Sequence, residues 1–445
     1  MTAPATTRPA PHRPDWRVRA AGMFPAAPPA AAGRPVAGLL AGLAVLAGAA
    51  VSLLRQPGVG ALGTVWAEDG QVFLAGAVNR PLPEALTASY AGYFHTGPRL
   101  LAELVTRAPA DLAAAGLAVA AAVVTAALAV LVYAASGAHL PSRLARVVAA
   151  GIVLVPPLAQ GDVPNSIANL HWPALYALFW VLLWTPAGWP GRAAGVLTTV
   201  LVTTSDILVI GLLPLAVVRF AVRRDRYSAA LAAVFSAGVT LQLLGLATGA
   251  SDRETDLNPV RAVVGYLLRA VPAGLIGSRW LGPDHTSVRW LALAAVAWLL
   301  VALAVLAAAR GLTRPAWTLA GLAAVHSVGL YLLPVLLSGV ATERYAVAPA
   351  MLLVVALLAV LAPGSGRPAG GPAGWPRLAL VGLLVVVCAV NLRVPNLRAD
   401  GPTWSGELDR AGQVCTITPV ESVRLRLPPA DPPWYAELPC DYLTR

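Results

Sequence analysis

The sequence predicts an all-α integral membrane protein, and three observations predict it. Of its 445 residues, 58% are hydrophobic and only 12% are charged, whereas a soluble domain carries about 25% charged residues. Apolar runs close to 20 residues long recur along the chain, which is the length a helix needs to cross a bilayer. Between those runs sit arginines: the net charge is +11, and every basic residue is Arg, with no Lys. Arginine clusters flanking apolar runs follow the positive-inside rule, so the charge faces anionic lipid and implies no nucleic-acid partner. An all-Arg chain rich in Ala, Pro and Gly also points to a GC-rich bacterial genome, and so to a bacterial plasma membrane.

Taken in order, the chain is expected to make about 11 transmembrane segments, including one re-entrant half-span hairpin, with interfacial helices in the extracytoplasmic loops. Residues 1–34, rich in Pro, Ala and Arg, are expected to be a disordered cytoplasmic tail. The run at about 36–54 exceeds a secretory h-region and reads as an uncleaved signal anchor. The loop at about 55–97 is then outside. Its latter part, Tyr90 to Arg99, is aromatic and polar together and suits a segment lying on the membrane surface. Spans at about 112–134, 147–160 and 171–186 follow, with Arg143, Arg146 and Arg192 on the inner side.

From 193 to 222, apolar sequence runs between Arg192 and the cluster Arg219, Arg223, Arg224 and Arg226. One span cannot start and finish on the same side, so two half-spans meeting at Thr203-Thr204-Ser205-Asp206 are expected. One long tilted helix is the competing arrangement and would invert everything downstream. A polar break in a membrane hairpin requires burial in protein or a cavity to line. Further spans are expected at about 228–248, 288–309, 316–337, 346–362 and 378–394. The outer loop at about 249–286, with Asp252, Arg253, Glu254 and Asp256, contains an expected amphipathic helix near 259–276. A Gly/Pro linker with Arg367 and Arg377 precedes the last span. The resulting division is a membrane domain over 35–394 and an extracytoplasmic tail over 395–445. In that tail Cys415 and Cys440 make a plausible disulfide, the alternative being two free thiols in a reducing compartment; Cys388 lies in the last span.

Chemistry concentrates in the outer loops. Trp66-Ala67-Glu68-Asp69-Gly70-Gln71-Val72-Phe73 places two adjacent carboxylates where the first span meets water. Such a pair is either a helix-flanking loop or a catalytic motif. Gly70 allows a tight turn that would present Asp69. Asp162, Asn165, Asn169 and His171 occupy a second outer loop, and Glu343, Arg344 and Tyr345 a third; His95 and Arg99 lie on the interfacial segment. Facing one side, these groups could converge on one cavity. A carboxylate there could take a proton from an acceptor hydroxyl, and an Arg could grip a lipid phosphate with its planar fork. His171-Trp172 is a hydroxyl or sugar contact or an interfacial anchor, and Tyr345 is equally compatible with an aromatic belt. His326, in mid-helix, reads as a packed residue. No CxxC or HExxH metal spacing, phosphate-binding glycine loop or internal repeat is present.

Together, Trp-x-Glu-Asp-Gly-x-x-Phe after the first span, Tyr-x-x-Tyr-Phe-His-x-x-Pro-Arg, Asn-x-His-Trp at a helix start and Glu-Arg-Tyr before a late helix resemble the GT-C superfamily of membrane glycosyltransferases. The resemblance covers roughly residues 36–362, mostly as order and topology. It implies inverting transfer of a sugar from a polyprenyl-phosphate donor to a cell-envelope glycan, lipid or protein outside the cytoplasm. An Asp of the acidic motif serves as base in such enzymes, which maps onto Asp69, with Glu68 as the alternative. Arg344 and Arg99 would stabilise the departing phosphate, with His95, His171, Asn169 and Tyr345 as further substrate contacts. The lipid-linked sugar is a co-substrate, and no cofactor is implied. The runner-up is a transporter or lipid flippase using Ser205-Asp206, since an intramembrane acid is a functional candidate; a third possibility is a non-catalytic assembly subunit.

Overall fold

A computed structural model describes residues 20–27, 34–56, 59–158, 161–248, 255, 257–281, 285–362, 374–394 and 396–444. The expected disordered tail, apart from its residues 20–27 and Arg34, lies outside these residues, as do Asp252, Arg253, Glu254, Asp256 and most of the Gly/Pro linker. The principal helices are α1 (Arg34–Leu53), α2 (Thr96–Val105), α3 (Ala113–Ala135), α4 (Arg143–Leu154), α5 (His171–Leu183), α6 (Trp189–Thr203), α7 (Leu213–Val222) and α8 (Arg226–Thr248). There follow α9 (Pro259–Ile276, π-helical in its middle turn), α10 (Val288–Ala309), α11 (Trp317–Ser338), α12 (Val347–Val360), α13 (Trp375–Val390) and α14 (Trp404–Ile417). Among the described residues, 7 helices are long and apolar enough to cross a membrane, and shorter apolar helices stand beside them. The protein is a multi-pass helical membrane protein.

Burial sorts the helices. Every residue of α12 is buried, and Leu175 to Leu183 of α5 are wholly inaccessible. Helices apolar all round belong at the centre of a bundle. By contrast α1 exposes Leu39, Leu40, Leu43 and Leu46, a lipid-facing stripe at the edge. Polar side chains fix the starts: Ser142 accepts from Ala145 N before α4, Asn258 from Arg261 N before α9, and Ser287 from Trp290 N before α10.

Helix ends define two faces. On one, Ala27 N donates to Thr185 O and Arg223 Nη1 to Phe24 O at 3.1 Å, so residues 20–27, the end of α5 and the end of α7 meet. On the other, buried Arg55 donates to the carbonyls of Leu154, Pro156 and Leu392, clamping the ends of α1, α4 and α13. Cationic donors suit helix C-termini, whose last carbonyls lack partners. The ends of α9 belong to this second face, where Arg261 donates to Gly339 O and Ser278 N to Pro157 O.

The 189–222 segment is broken where the sequence expects. α6 stops at Thr203, and a 3-10 turn over Ile207–Leu212 leads into α7. Thr203, Thr204 and Ser205 bond back to carbonyls of Thr199, Val200 and Leu201, and Asp206 caps the new turn through Leu208 N. Such back-bonding competes with helix continuation. The break is buried: Thr204 O accepts from Thr96, Ser205 Oγ from Gly97 N, and Thr203 O from Gln242. At about 1.5 Å per residue, the 15 residues of α6 fall short of a bilayer core of about 30 Å.

One expectation is corrected. The chain is not purely helical, because the tail forms an antiparallel pair, β1 (Ser422–Leu427) and β2 (Trp434–Pro439). Val423, Leu425 and Leu427 point inward and join Val65, Phe73, Leu74, Trp404 and Leu438 in a second core that also takes in Ala102 of α2 and Ala113, Leu117 and Ala121 of α3. A disulfide joins Cys415 to Cys440 across a separation of 25 residues, tying α14 to the end of β2.

Candidate active site

The acidic pair begins a π-helical run, Asp69–Leu74, with Glu68 at its N-cap; π-turns recur at functional sites. The two acids sit differently. Asp69 is 1% exposed, and its oxygens accept from Ser166 Oγ at 3.0 Å, Ala168 N at 2.9 Å and Ile167 N at 3.3 Å. Burial pushes its carboxyl up to about 6, against the opposing pull of Arg398 and of the Ala168 and Ser166 hydrogen bonds. Glu68 is half-buried. Burial also raises its carboxyl above the usual range; Arg344 opposes that rise and Asp162 adds to it.

Arg344 donates from Nη1 to Asp162 Oδ2 at 3.3 Å. Its side chain keeps 30% exposure. Asn169 braces the same loop, donating to Asp162 O and Ser166 Oγ. A residue the sequence did not single out completes the cluster. Arg398 is 1% exposed, donates to Thr64 O and Asn165 O, and lies over the Trp66 ring at 5.5 Å. Its charge opposes those of Asp69 and Asp162, and burial brings its guanidinium down to about 10. Glu68, Asp69, Asp162, Arg344 and Arg398 thus form one electrostatic unit on the face of the Arg55 clamp.

Beside it runs an apolar slot of about 220 Å³, walled by α2, α3, α5 and α6, with His95, His171, Ser205 and Asp206 among its few polar groups. Ser166, Ile167 and Ala168 hold Asp69, while Ala168, Leu170 and His171 line the slot. One turn therefore joins the acidic motif to the slot. His171 pairs its Nδ1 with Ala168 O at 2.8 Å, and His95 stacks on Tyr93 at 4.2 Å between centroids.

Several expected site residues fall elsewhere. Arg99 lines a separate polar cavity, so the outer-loop groups occupy three places rather than one. Tyr345 is 7% exposed, packs 5.6 Å from the Trp172 ring and donates to Ser338 at the end of α11. Gly70 does not make a turn. It lets the tail approach, since a Cβ there would meet Leu427 Cδ1 at 2.5 Å. His326 is a packed helix residue bonded to Leu322 O. Asp206, at the break between α6 and α7, caps the following turn through Leu208 N and also lines the slot.

No family model matches the chain, and no curated protein matches it either.

Proposed function

We propose that the protein is a membrane glycosyltransferase that uses a polyprenyl-phosphate sugar and acts on an extracytoplasmic acceptor of the cell envelope. The observation that carries this reading is the turn at 166–171, which seats the acidic motif beside an apolar slot suited to the start of a lipid chain. On this reading the positive-inside rule assigns the Phe24 face, with Arg192 and the Arg219–Arg226 cluster, to the cytoplasm and the acidic cluster to the outside.

The roles follow from the environments. Glu68 is the general base, because Asp69 spends its oxygens on three hydrogen-bond donors. Asp69 instead positions the 166–168 turn. The acceptor hydroxyl attacks the anomeric carbon and its proton passes to Glu68. A new C1–O bond forms as the C1–O bond to phosphate breaks, and the lipid phosphate leaves with the electron pair. Arg344, part-exposed beside Asp162, stabilises that charge; a phosphate leaving group needs charge stabilisation more than protonation. His171 and His95, both lining the slot, are further substrate contacts.

Purified protein in nanodiscs, given polyprenyl-phosphate sugar and envelope extract as acceptor, should release polyprenyl phosphate, and Arg344→Ala should weaken donor binding. Intact donor after incubation with wild-type protein would contradict the reading.

A further inference from the structure

The cavity that takes Arg99 has a volume of about 520 Å³, within the range of roughly 300–1,000 Å³ typical of small-molecule sites. It is built from two distant parts of the chain. The first outer segment supplies one wall, including Gln71, Arg80 and Tyr90, and the tail strands supply the other with Arg424, Tyr435 and Glu437. Gln71 Oε1 accepts from Tyr435 N at 3.2 Å and Asn79 Nδ2 donates to Glu437 O at 2.8 Å, so the walls are bonded together.

The charge of the lining is unbalanced. Arg99 is 3% exposed, and its Nε has no hydrogen-bond partner among the described residues. Its guanidinium lies 5.6 Å from the centre of the Phe73 ring. Gly76 leaves room for it, since a Cβ there would sit 3.1 Å from Arg99 Nη1. No described carboxylate pairs with Arg99 or Arg80. Burial, and then the neighbouring Arg80, bring the Arg99 guanidinium down to about 10, as for a cation lacking a counter-ion. Across the cavity the one lining carboxylate, Glu437, accepts from Ser422 Oγ and stands 3.9 Å from Arg424 Nε. Both of those ion-pair partners are well exposed, so the pair holds neither group tightly. A buried cation is costly unless something satisfies it.

We propose that this cavity binds an anionic saccharide, a glycan carrying carboxylate or phosphate. Arg80, Arg99 and Arg424 offer planar forks that match those anions. Tyr90 and Tyr435 offer ring surface for the sugar, each with a polar tip. Calling this ligand the acceptor rests on the glycosyl-transfer reading; the binding itself does not.

The test is titration of the full-length protein, in detergent without added lipid, with tetragalacturonate, mannose 6-phosphate, neutral maltotetraose and inorganic phosphate. At least one acidic sugar should bind at least ten-fold more tightly than maltotetraose. Preference for the uronate assigns a carboxylate ligand, and preference for the sugar phosphate a phosphorylated one. Arg99→Gln and the exposed Arg424→Gln should each weaken binding ten-fold or more, and Arg424→Gln keeps the test open if the buried substitution misfolds. Glu68→Gln should bind like wild type. Loss of transfer in Glu68→Gln with acidic-sugar binding intact separates the two sites. Failure of both acidic sugars to bind, equal binding of acidic and neutral sugars, wild-type binding by Arg424→Gln, or binding of inorganic phosphate alone would each overturn the proposal.

Discussion

Replacing Glu68 with Gln keeps the shape of the side chain and removes its proton-accepting charge. We expect transfer to fall by on the order of 10² to 10⁴ while donor binding persists, measured as turnover and donor affinity on one preparation. Because burial lifts the Glu68 carboxyl above its ordinary 4.5, and the base works ionised, wild-type rate should rise with pH through a midpoint above that value. Asp69→Asn acts differently. Its amide would face backbone N–H groups that now meet a carboxylate, and an orphaned buried donor costs about 1–3 kcal/mol. The variant should melt lower. The sign of its pH dependence follows from the raised carboxyl. Asp69 moves from 3.8 to about 6 on folding, so the folded state holds the proton more tightly, and wild-type stability declines as pH rises between those values. That slope should shrink in Asp69→Asn, as followed by thermal melts across the window. The sequence displays both acids and leaves their roles open, because the donors that capture Asp69 come from residues 166–168, about a hundred positions away. Arg398 carries no sequence signal at all; only folding brings it over the Trp66 ring.

The tail lobe is held by features that substitution can test one at a time. A Cβ at Gly70 would press on Leu427 and Val65. Gly70→Ala should cost about 1–3 kcal/mol of overpacking, and adding Leu427→Ala should recover part of that loss in a double-mutant comparison of melting temperatures. The Cys415–Cys440 link closes 25 residues, and its removal should cost the lobe roughly 3 kcal/mol by the chain-entropy argument. Non-reducing peptide maps should show the joined peptides, and Cys415→Ser should make the tail more sensitive to protease. Glu407 gives the lobe an acid sensitivity of opposite sign to Asp69. Burial raises its carboxyl, but hydrogen bonds from Arg410 and Arg426 prevail and hold it at about 2. The stability it confers is therefore present above 4.5 and lost as pH falls towards 2. The strands were legible in principle: Val423, Leu425 and Leu427 alternate with Arg424 and Arg426, a period of two. A short, charged tail after so many apolar helices hides that alternation. The long helices were easier to read, because an apolar run of span length has few other uses.

At the scale of the molecule, the two sets of helix-end contacts fix which ends share a face. Residues 20–27, Thr185 and Arg223 lie together, and Arg55, Pro156 and Leu392 lie together. Reporter fusions after residue 186 and after residue 224 should therefore give the same cytoplasmic signal, and a fusion at residue 444 the opposite one. A cytoplasmic signal at the last position would break the assignment of sides. Arginine placement pointed to this arrangement, since Arg192 and the Arg219–Arg226 cluster on one side imply a chain reversal between them, against one long tilted helix. What the sequence could not convey is that the segment after α1 and the tail share a core, because that contact joins stretches far apart along the chain. The most direct test of the central claim is mass spectrometry of envelope glycans from a strain lacking the gene, complemented with wild type or with Glu68→Gln. One glycan class should lose a sugar in the deletion, regain it with wild type and stay truncated with Glu68→Gln expressed at equal level. Glycans unchanged by the deletion, or fully restored by Glu68→Gln, would contradict the account.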